Sequence, residues 1–311
     1  MFPQGDTFAL DFHPIPYRGD PTGLDNHYVP TQGKACPSVQ TFFAQEQDSR
    51  VLCYANAALT RGDQAGEVMR FVEFWHEVAG QDPRWLYLDS KVTPYSELKR
   101  LNDRDIRFIT IRKRGAAVIR RLRGLPASDW RGAVIDIPKR RHKHVRYLEE
   151  TVRLKGYDAD IRQVAVDGLG RDKPTLFISN DKEETARNLI VRYAGRNRVE
   201  DGLGQAVNFF HMDCLASEVQ LNVDVDVALT VIANGCYRWL GRQLRMFDRA
   251  AAKQLYRKFV ETAGEIEVRQ DEIVVRFDRR SHNPILREAA LDRDRHAVPW
   301  LGGRPVLFEF A

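Results

Sequence analysis

The stretch "RWLYLDS", from Arg84 to Ser90, decides the fold. Its four central residues are apolar or aromatic without alternation, which is typical of a short strand buried on both faces at the centre of a sheet. The run ends in Asp89, and charged residues rarely occur in such strands without a partner. We therefore predict a buried central strand that ends in an acidic side chain.

The residues before this strand predict three antiparallel strands and a helix. "TFALDFHPIP" (7–16) has the composition of a first strand, ended by its prolines. "SVQTFFAQE" (38–46) and "RVLCYANAAL" (50–59) flank the polar turn "QDS" and predict a hairpin. "DQAGEVMRFVEFWHEVAG" (63–80) places its apolar residues at helical spacing, with Asp63 as the N-cap.

The residues after it extend the alternation of helices and strands. "TPYSELKRLND" (93–103) predicts a helix with Thr93 as its N-cap, and "IRFITIRKR" (106–114) predicts another strand. The predicted order is three strands, helix, strand, helix, strand. This order indicates an α/β fold with a mixed sheet flanked by helices.

The rest of the chain divides by composition into three further segments. Residues 115–180 are rich in strand patterns with polar turns, so we predict an all-β insertion between the first part of the core (1–114) and its second part (181–245). Residues 181–245 return to helical patterns, and residues 246–311 predict a small C-terminal β module.

Composition excludes several classes of protein. The 311 residues are 43% hydrophobic, enough for a sizeable core, but no apolar run reaches membrane-spanning length. The N-terminal residues lack the pattern of a signal peptide, and the four cysteines show no CxxC spacing. We expect a cytoplasmic protein with no membrane partner and with reduced cysteines in its core.

Positive charge is concentrated in one segment. Residues 107–146 hold thirteen Lys or Arg and two acids, a net charge of +11, and because the whole chain carries +5 the remainder carries −6. Such a band favours a polyanion, most often nucleic acid, although a solvated basic face is the alternative. "KRRHKHVR" (139–146) is interpreted as a basic loop against DNA.

Three acidic residues are placed where they could converge. Asp11 lies within the first strand, Asp89 ends the central strand, and Glu200 lies in "VRYAGRNRVED" (191–201). Carboxylates that lie so close together repel one another unless a cation neutralises them, and Mg²⁺ prefers oxygen ligands. Taken singly, Asp11 could instead pair with an arginine, and Asp89 could cap the turn before the next helix.

The stretch at 191–201 spaces three polar residues at intervals of three and four positions. If it is helical, Tyr193, Arg196 and Glu200 lie on one face, although Gly195 weakens the helical prediction. A surface ion pair is the simplest interpretation of this face. His13 shares the strand face of Asp11, and we interpret it as a packing or supporting residue rather than as a metal ligand.

Two of these stretches resemble bacterial insertion-sequence transposases of the DDE type, whose catalytic domain has an RNase H-like fold. "LYLDSKVTPYSELKRLNDRDIRFITIRKR" resembles the block that carries the family's second acidic residue. "YAGRNRVEDGLG" resembles its third block, in which Tyr, Arg and the catalytic Glu recur at this spacing. The β-rich insertion is similar to that of one branch of the family.

The resemblance implies a function and a set of site residues. Asp11, Asp89 and Glu200 would be the catalytic residues and the ligands of Mg²⁺ (or Mn²⁺) in two-metal phosphoryl transfer, which cleaves insertion-sequence ends and transfers a strand to target DNA. The implied partner is double-stranded DNA, both transposon ends and target. The resemblance also allows for a homodimer in the complex with DNA. The expected DNA-binding residues are Tyr193, Arg196, Arg112, Lys113, Arg114, Lys139, Arg140, Arg141 and Lys143.

Two departures from the family's pattern leave alternatives open. The third block usually continues to a Lys seven residues after the Glu, where this chain has Val207. Only ten residues precede Asp11, so we expect a copy that lacks the N-terminal DNA-binding region. The alternatives are an inactive remnant that only binds DNA, and an RNase H-like nuclease without strand transfer.

Overall fold

The computed structural model describes residues 5–17, 19, 24–29, 32–60, 62–89, 94–137, 141–214, 220–293 and 296–311. It is a mixed α/β protein with two compact units. The first unit comprises Met1–Gly204 and His211–Val231, and the second comprises Gln205–Phe210 and Ile232–Ala311. No described helix is long and apolar enough to cross a membrane.

The first unit is built on a ten-stranded sheet with helices alongside it. Its strands are β1 (Thr7–Pro16), β2 (Asn26–Val29), β3 (Lys34–Glu46), β4 (Leu52–Leu59), β5 (Trp85–Leu88), β6 (Arg107–Ile111), β7 (Arg131–Val134), β8 (His144–Arg153), β9 (Asp160–Asp167) and β10 (Thr175–Ser179). Its helices are α1 (Glu67–Ala79), α2 (Tyr95–Asp103), α3 (Ala116–Arg123) and α4 (Ala186–Ala194). Two helices have residues in both units, α5 (Asn197–Asn208) and α6 (Gln220–Gln243).

The strand order is β2-β3-β1-β5-β6-β10-β9-β8-β7, with β4 paired to β3. β1, β5 and β6 are parallel neighbours, whereas β3 is antiparallel to both β1 and β4. All four residues of β5 are buried, so the prediction of a buried central strand from "WLYL" is confirmed. The predicted α/β class and the three antiparallel strands are confirmed as well.

Alternation along β1 separates a core face from a polar face. Phe8 and Leu10 are fully buried in the main core, where the ring of Phe8 lies 4.4 Å from that of Trp75 on α1. Successive side chains of a strand point to opposite faces. Asp11 and His13 therefore share the other face of the sheet, away from this aromatic core.

The prediction of an all-β insertion at 115–180 is wrong at its start, because residues 116–123 form α3. Ile119 and Leu122 are buried one helical turn apart, and the arginines between and beside them are exposed. This amphipathic spacing favours a helix over a strand. The strands that follow, β7 to β10, extend the main sheet through antiparallel pairing of β10 with β6.

Some local predictions also need correction. Asp63 does not cap α1 through its side chain, because a 3₁₀ turn at residues 64–66 lies between them and Gly66 is the N-cap. Thr93 lies outside the described residues, and the N-cap of α2 is Pro94. All four cysteines are free, but Cys214 and Cys236 are exposed rather than in the core.

The second unit holds a four-stranded sheet and two short helices. Its strands are β11 (Gly264–Val268), β12 (Ile273–Phe277), β13 (His296–Ala297) and β14 (Pro305–Phe310), in the order β11-β12-β14-β13. Its helices are α7 (Ala252–Leu255) and α8 (Asn283–Glu288). Leu255, Phe259, Leu286 and Phe310 are buried together in a separate core.

The buried central strand gives a first testable prediction. Leu86 on β5 is fully buried, so Leu86→Ala should lower the free energy of unfolding by about 2 to 5 kcal/mol, because it leaves a cavity. Val134, on β7, is half exposed, and Val134→Ala should change the free energy of unfolding by about 0.5 kcal/mol or less. Urea unfolding of both variants measures the difference, and equal midpoints would contradict the central position of β5.

Candidate functional site

The polar face of β1 carries an ion-pair triad in which one arginine joins two carboxylates. The guanidinium of Arg196 lies 2.8 Å from Oδ2 of Asp11 and 2.6 Å from Oε1 of Glu200. The side chain of Arg196 is 8% exposed and that of Asp11 is 16% exposed, whereas Glu200 is 55% exposed. The triad therefore runs from the surface of the sheet outwards to solvent.

A break between two helices aims these side chains. Residues 191–201 do not form one continuous helix, because α4 ends at Ala194 and α5 begins at Asn197. The backbone N–H of Arg196 donates to the carbonyl of Tyr193, so a tight turn connects the two helices. A Cβ on Gly195 would lie 2.9 Å from the carbonyl oxygen of Arg192, which explains the glycine in this turn.

The predicted helical face is thus realised by two helices and a turn. Tyr193, Arg196 and Glu200 all line one cavity, although no single helix places them there. Arg196 donates to Glu200 across the turn, and the electrostatic field of Arg196 acts on the Tyr193 hydroxyl. The prediction that a single helix carries these residues is wrong. The structure nevertheless brings Tyr193, Arg196 and Glu200 to one cavity.

Asp89 joins the triad through the parallel pairing of β1 with β5. Leu10 is opposite Leu88 in the register, so the two aspartates follow directly on neighbouring strands. Asp89 is half-buried and lines the same cavity as Arg196 and Glu200. The carboxylates of Asp89 and Glu200 also act electrostatically on Asp11. The structure therefore brings all three predicted acidic residues to one site.

The electrostatics of the site favour an additional cation. The pKa of the Asp11 carboxyl is raised to about 6, and burial is the largest cause. Arg196 opposes this rise, whereas the neighbouring charges of Asp89 and Glu200 contribute to it. Burial acts against the charge of Arg196, yet the surrounding acids, Asp11 foremost, raise the pKa of its guanidinium. One arginine does not fully compensate three carboxylates.

The donor set suits a divalent metal in its chemistry. Mg²⁺ and Mn²⁺ bind carboxylate oxygens, which three side chains supply here. Among the described residues, however, no group of three or more His, Cys, Asp or Glu side chains is already disposed to hold a metal ion. In this arrangement Arg196 provides the positive charge between Asp11 and Glu200. We infer that the residues fit such a metal once Arg196 shares or yields these contacts.

A basic cavity of about 1010 Å³ opens directly beside the carboxylates. Its cationic lining residues are Arg112, Lys113, Arg114, Arg120, Arg123, Arg171, Lys173 and Arg196. They come from the end of β6, from α3, from the loop between β9 and β10 and, for Arg196, from the turn between α4 and α5. The loop is held in place by the guanidinium of Arg114, which donates to the carbonyl of Lys173 at 3.1 Å. An anionic ligand that fills this cavity would contact positive charge on several sides.

The predicted DNA-binding residues are only partly assembled here. Arg112, Lys113 and Arg114 line the cavity beside Tyr193 and Arg196. Lys139 and Arg140 lie outside the described residues. Arg141 and Lys143 are exposed and are not among the residues that line this cavity, and Lys143 pairs with Asp136 at 2.9 Å.

Sequence reasoning missed several residues of the site. Arg120 and Arg123 belong to the basic band but were not singled out, because their helix was not predicted. Arg171 and Lys173 lie beyond the band and reach the cavity only through the fold. The Nε2 of His13 lies 3.0 Å from Oδ1 of Asp213, and its predicted role as a packing or supporting residue stays a prediction. No sequence signal linked that pair, whose members are 200 residues apart.

Comparison with known proteins adds no family to this site: no family model matches the chain, and no curated protein is significantly similar to it.

The raised pKa of Asp11 can be measured in protein without divalent metal. A ¹³C-carboxyl NMR titration should give a midpoint near pH 6, and Arg196→Gln should move it higher because Arg196 lowers the pKa. The ordinary value is 3.8, so the folded protein binds the extra proton between about pH 4 and pH 6. Stability from this group is therefore present below pH 4 and is lost as the pH rises through 6. A midpoint near 4 would contradict the buried site.

Proposed function

We propose that this chain is an RNase H-like transposase of the DDE type, which uses a divalent metal to cleave DNA at insertion-sequence ends and to transfer the cut strand. The observation that carries the proposal is the convergence of Asp11, Asp89 and Glu200 around Arg196, at the mouth of the basic cavity. The resemblance in sequence had named the same three acids, and their proximity does not depend on that resemblance.

The order of the strands also supports the proposal. β4, β3 and β1 are antiparallel, and β5 and β6 follow as parallel strands after α1 and α2. This is the sequence of three strands, helix, strand, helix, strand that accompanies the resemblance to an RNase H-like domain. In this sheet the end of β5 lies beside the middle of β1, so two acids can come from neighbouring strands.

In this mechanism the three carboxylates, Arg196 and Tyr193 would have separate roles. Asp11, Asp89 and Glu200 would hold Mg²⁺ or Mn²⁺, which supplies activation of the attacking hydroxyl and stabilisation of the leaving oxygen. Arg196 would bind a phosphate of the strand, because a guanidinium matches phosphate in a bidentate manner. Tyr193 is largely buried, with burial raising the pKa of its hydroxyl, so it remains protonated and can donate a hydrogen bond.

The basic cavity would hold the DNA backbone against these groups. Arg112, Lys113 and Arg114 follow β6, on the neighbouring strand to β5, so phosphates bound there lie next to Asp89. α3 and the β9–β10 loop extend the contact surface with Arg120, Arg123, Arg171 and Lys173. Contacts to phosphate position a strand without reading its sequence. Double-stranded DNA is thus the proposed partner.

The decisive variant is Asp89→Asn. It removes one carboxylate of the proposed metal site but also reduces repulsion of phosphate, so Mg²⁺-dependent nicking should be lost while DNA binding is retained or strengthened. The substrate is a supercoiled plasmid that carries the genomic segment around the gene. The control is Asp271→Asn, an exposed aspartate in the turn between β11 and β12. Nicking by Asp89→Asn at the wild-type rate would exclude a catalytic role for Asp89.

A second assay separates transfer from hydrolysis. A pre-cut end with a free 3′-hydroxyl is incubated with wild-type protein and a target plasmid, and joined products are scored. Joining supports the transposase. Nicking without joining would indicate an RNase H-like nuclease, and binding without nicking would indicate the inactive remnant. The last outcome would fit the presence of Val207 where relatives carry a Lys.

The cavity residues give a prediction on binding alone. Changing Arg120, Arg123 and Lys173 together to Ala should flatten the log–log salt dependence of DNA binding by about 2 to 3, since each phosphate contact contributes about 0.9. Affinity should fall about equally for two unrelated duplexes. Changing Lys99, Arg100 and Lys155 to Ala removes the same charge away from the cavity. Equal slopes for the two triple variants would place the DNA elsewhere.

A further inference from the structure

The sheet of the second unit has an open edge at β11. This strand ends the order β11-β12-β14-β13, so within the described part of the sheet its one neighbour is β12. Ile266 on β11 is 68% exposed and Val268 is 63% exposed. Proteins often protect such edges with Lys or Pro, because an exposed apolar edge strand is a template for another strand. The sequence of β11, GEIEV, contains neither residue.

A hydrogen bond at the end of β11 shows which of its backbone groups face the open edge. The N–H of Arg269 donates to the carbonyl of Glu272, so the backbone of Arg269 is turned towards the partner strand. Backbone groups of an antiparallel strand point alternately towards its neighbour and away from it. Counting back along β11, the residues whose N–H and C=O groups point away from β12 are Gly264, Ile266 and Val268. These groups can form a ladder with one further strand.

The two faces of β11 offer different side chains to such a strand. The register places Ile266 beside Val275 of β12, which in turn lies beside Phe308 of β14, so one face is apolar. Successive side chains of a strand point to opposite faces, and Glu265 therefore lies on the other face, beside Arg276. A strand added to β11 would meet apolar side chains on one face and carboxylates on the other.

The carboxylates of the second face exceed the positive charges that they contact. Its ion pairs join four glutamates to two arginines, and these residues are Glu265, Glu267, Glu272, Glu309, Arg269 and Arg276. Nε of Arg276 lies 2.7 Å from Oε2 of Glu309, whereas its Nη1 lies 3.9 Å from Oε2 of Glu265. The side chain of Glu265 is also 78% exposed. Glu265 thus presents a weakly balanced negative charge at the open edge.

We propose that β11 binds an extended segment of another protein in which basic residues alternate with apolar residues, and that this segment becomes a fifth strand of the sheet. Its apolar side chains pack beside Ile266 and Val268, and its Lys or Arg side chains lie beside Glu265 and Glu267. DNA does not suit this edge, because its phosphates would meet carboxylates. A second copy of β11 does not suit it either. Antiparallel pairing centred on Ile266 would place Glu265 of each copy opposite Glu267 of the other.

This inference does not rest on the proposed function, because β11 shares no residue with the ion-pair triad or the basic cavity. The probe is a fluorescent peptide, Lys-Val-Lys-Val-Lys-Val-Lys, whose alternation is the same in both chain directions. Fluorescence anisotropy with the full chain should show saturable binding. Lys-Lys-Val-Val-Val-Lys-Lys, with the same composition but no alternation, should bind about fivefold more weakly or worse, and Glu-Val-Glu-Val-Glu-Val-Glu about tenfold more weakly or worse.

A charge reversal distinguishes β11 from any other site for a basic peptide. Glu265→Lys should weaken binding of the alternating Lys peptide about tenfold and should strengthen binding of the alternating Glu peptide by a similar factor. The matched control is Glu288→Lys, which reverses the charge of a half-exposed glutamate on α8 in the same unit. This control should change either affinity by less than about twofold, because it leaves the edge unaltered. Unchanged affinities in Glu265→Lys would overturn the proposal.

A proline tests the backbone ladder. Ile266→Pro removes an N–H that points to the open edge, and proline is tolerated at such positions of edge strands, so the variant should fold but bind neither peptide. If it unfolds, the charge reversal at Glu265 decides the question. Equal binding of the alternating Lys and Glu peptides by the wild-type chain, or no saturable binding below about 1 mM, overturns the proposal. Self-association that Ile266→Pro abolishes overturns it as well, because a second copy would then occupy the edge.

Discussion

The pairing of Arg196 with Asp11 and Glu200 is the interaction on which the rest of the site depends. Asp11 lies on a central strand, and its side chain is largely buried. An isolated charge in such a position would cost several kcal/mol of folding free energy. The side chain of Arg196 is more deeply buried than that of Asp11. Without the carboxylates, its charge would carry the same free-energy penalty of burial. Each therefore requires the other. This mutual requirement fixes the junction of α4 and α5 over the middle of β1, and it brings Glu200 to the same point.

The main sheet and one glycine make that pairing geometrically accessible. Parallel alignment of β1 with β5 places Asp89 beside Asp11, which concentrates negative charge where a single arginine has to balance it. The turn at Gly195 allows α4 to stop and α5 to start within two residues. The excess of negative charge is therefore built into the fold, and it is the physical reason to expect a metal.

Sequence patterns predicted the elements that depend on local periodicity. β1, the hairpin, β5 and β6 were all recognisable, because alternation or continuous apolar character identifies a strand without reference to its neighbours. α3 was missed because it has only eight residues, of which Ile119 and Leu122 are buried, so its helical period did not stand out among the strand patterns that follow. Residues such as Arg171 and Lys173 line the cavity through contacts between distant segments, and no local pattern records such contacts. The three acids were named because a family resemblance supplied the long-range information that periodicity lacks.

The basic band shows why charge counted along a sequence overstates a binding surface. Of its thirteen cations, Arg107, Arg121, Lys143 and Arg146 form ion pairs with Asp181, Glu150, Asp136 and Asp167. Exposed ion pairs such as Lys143 with Asp136 add at most about 1 kcal/mol to stability, but each of the four pairs cancels a charge that a polyanion would otherwise meet. Arg112 and Arg114 at the end of β6, and Arg120 and Arg123 on α3, instead line the cavity. Among the described residues of the band, the fold therefore separates cations that are paired with acids from cations that line the cavity next to the carboxylates, where they could position a phosphate for reaction.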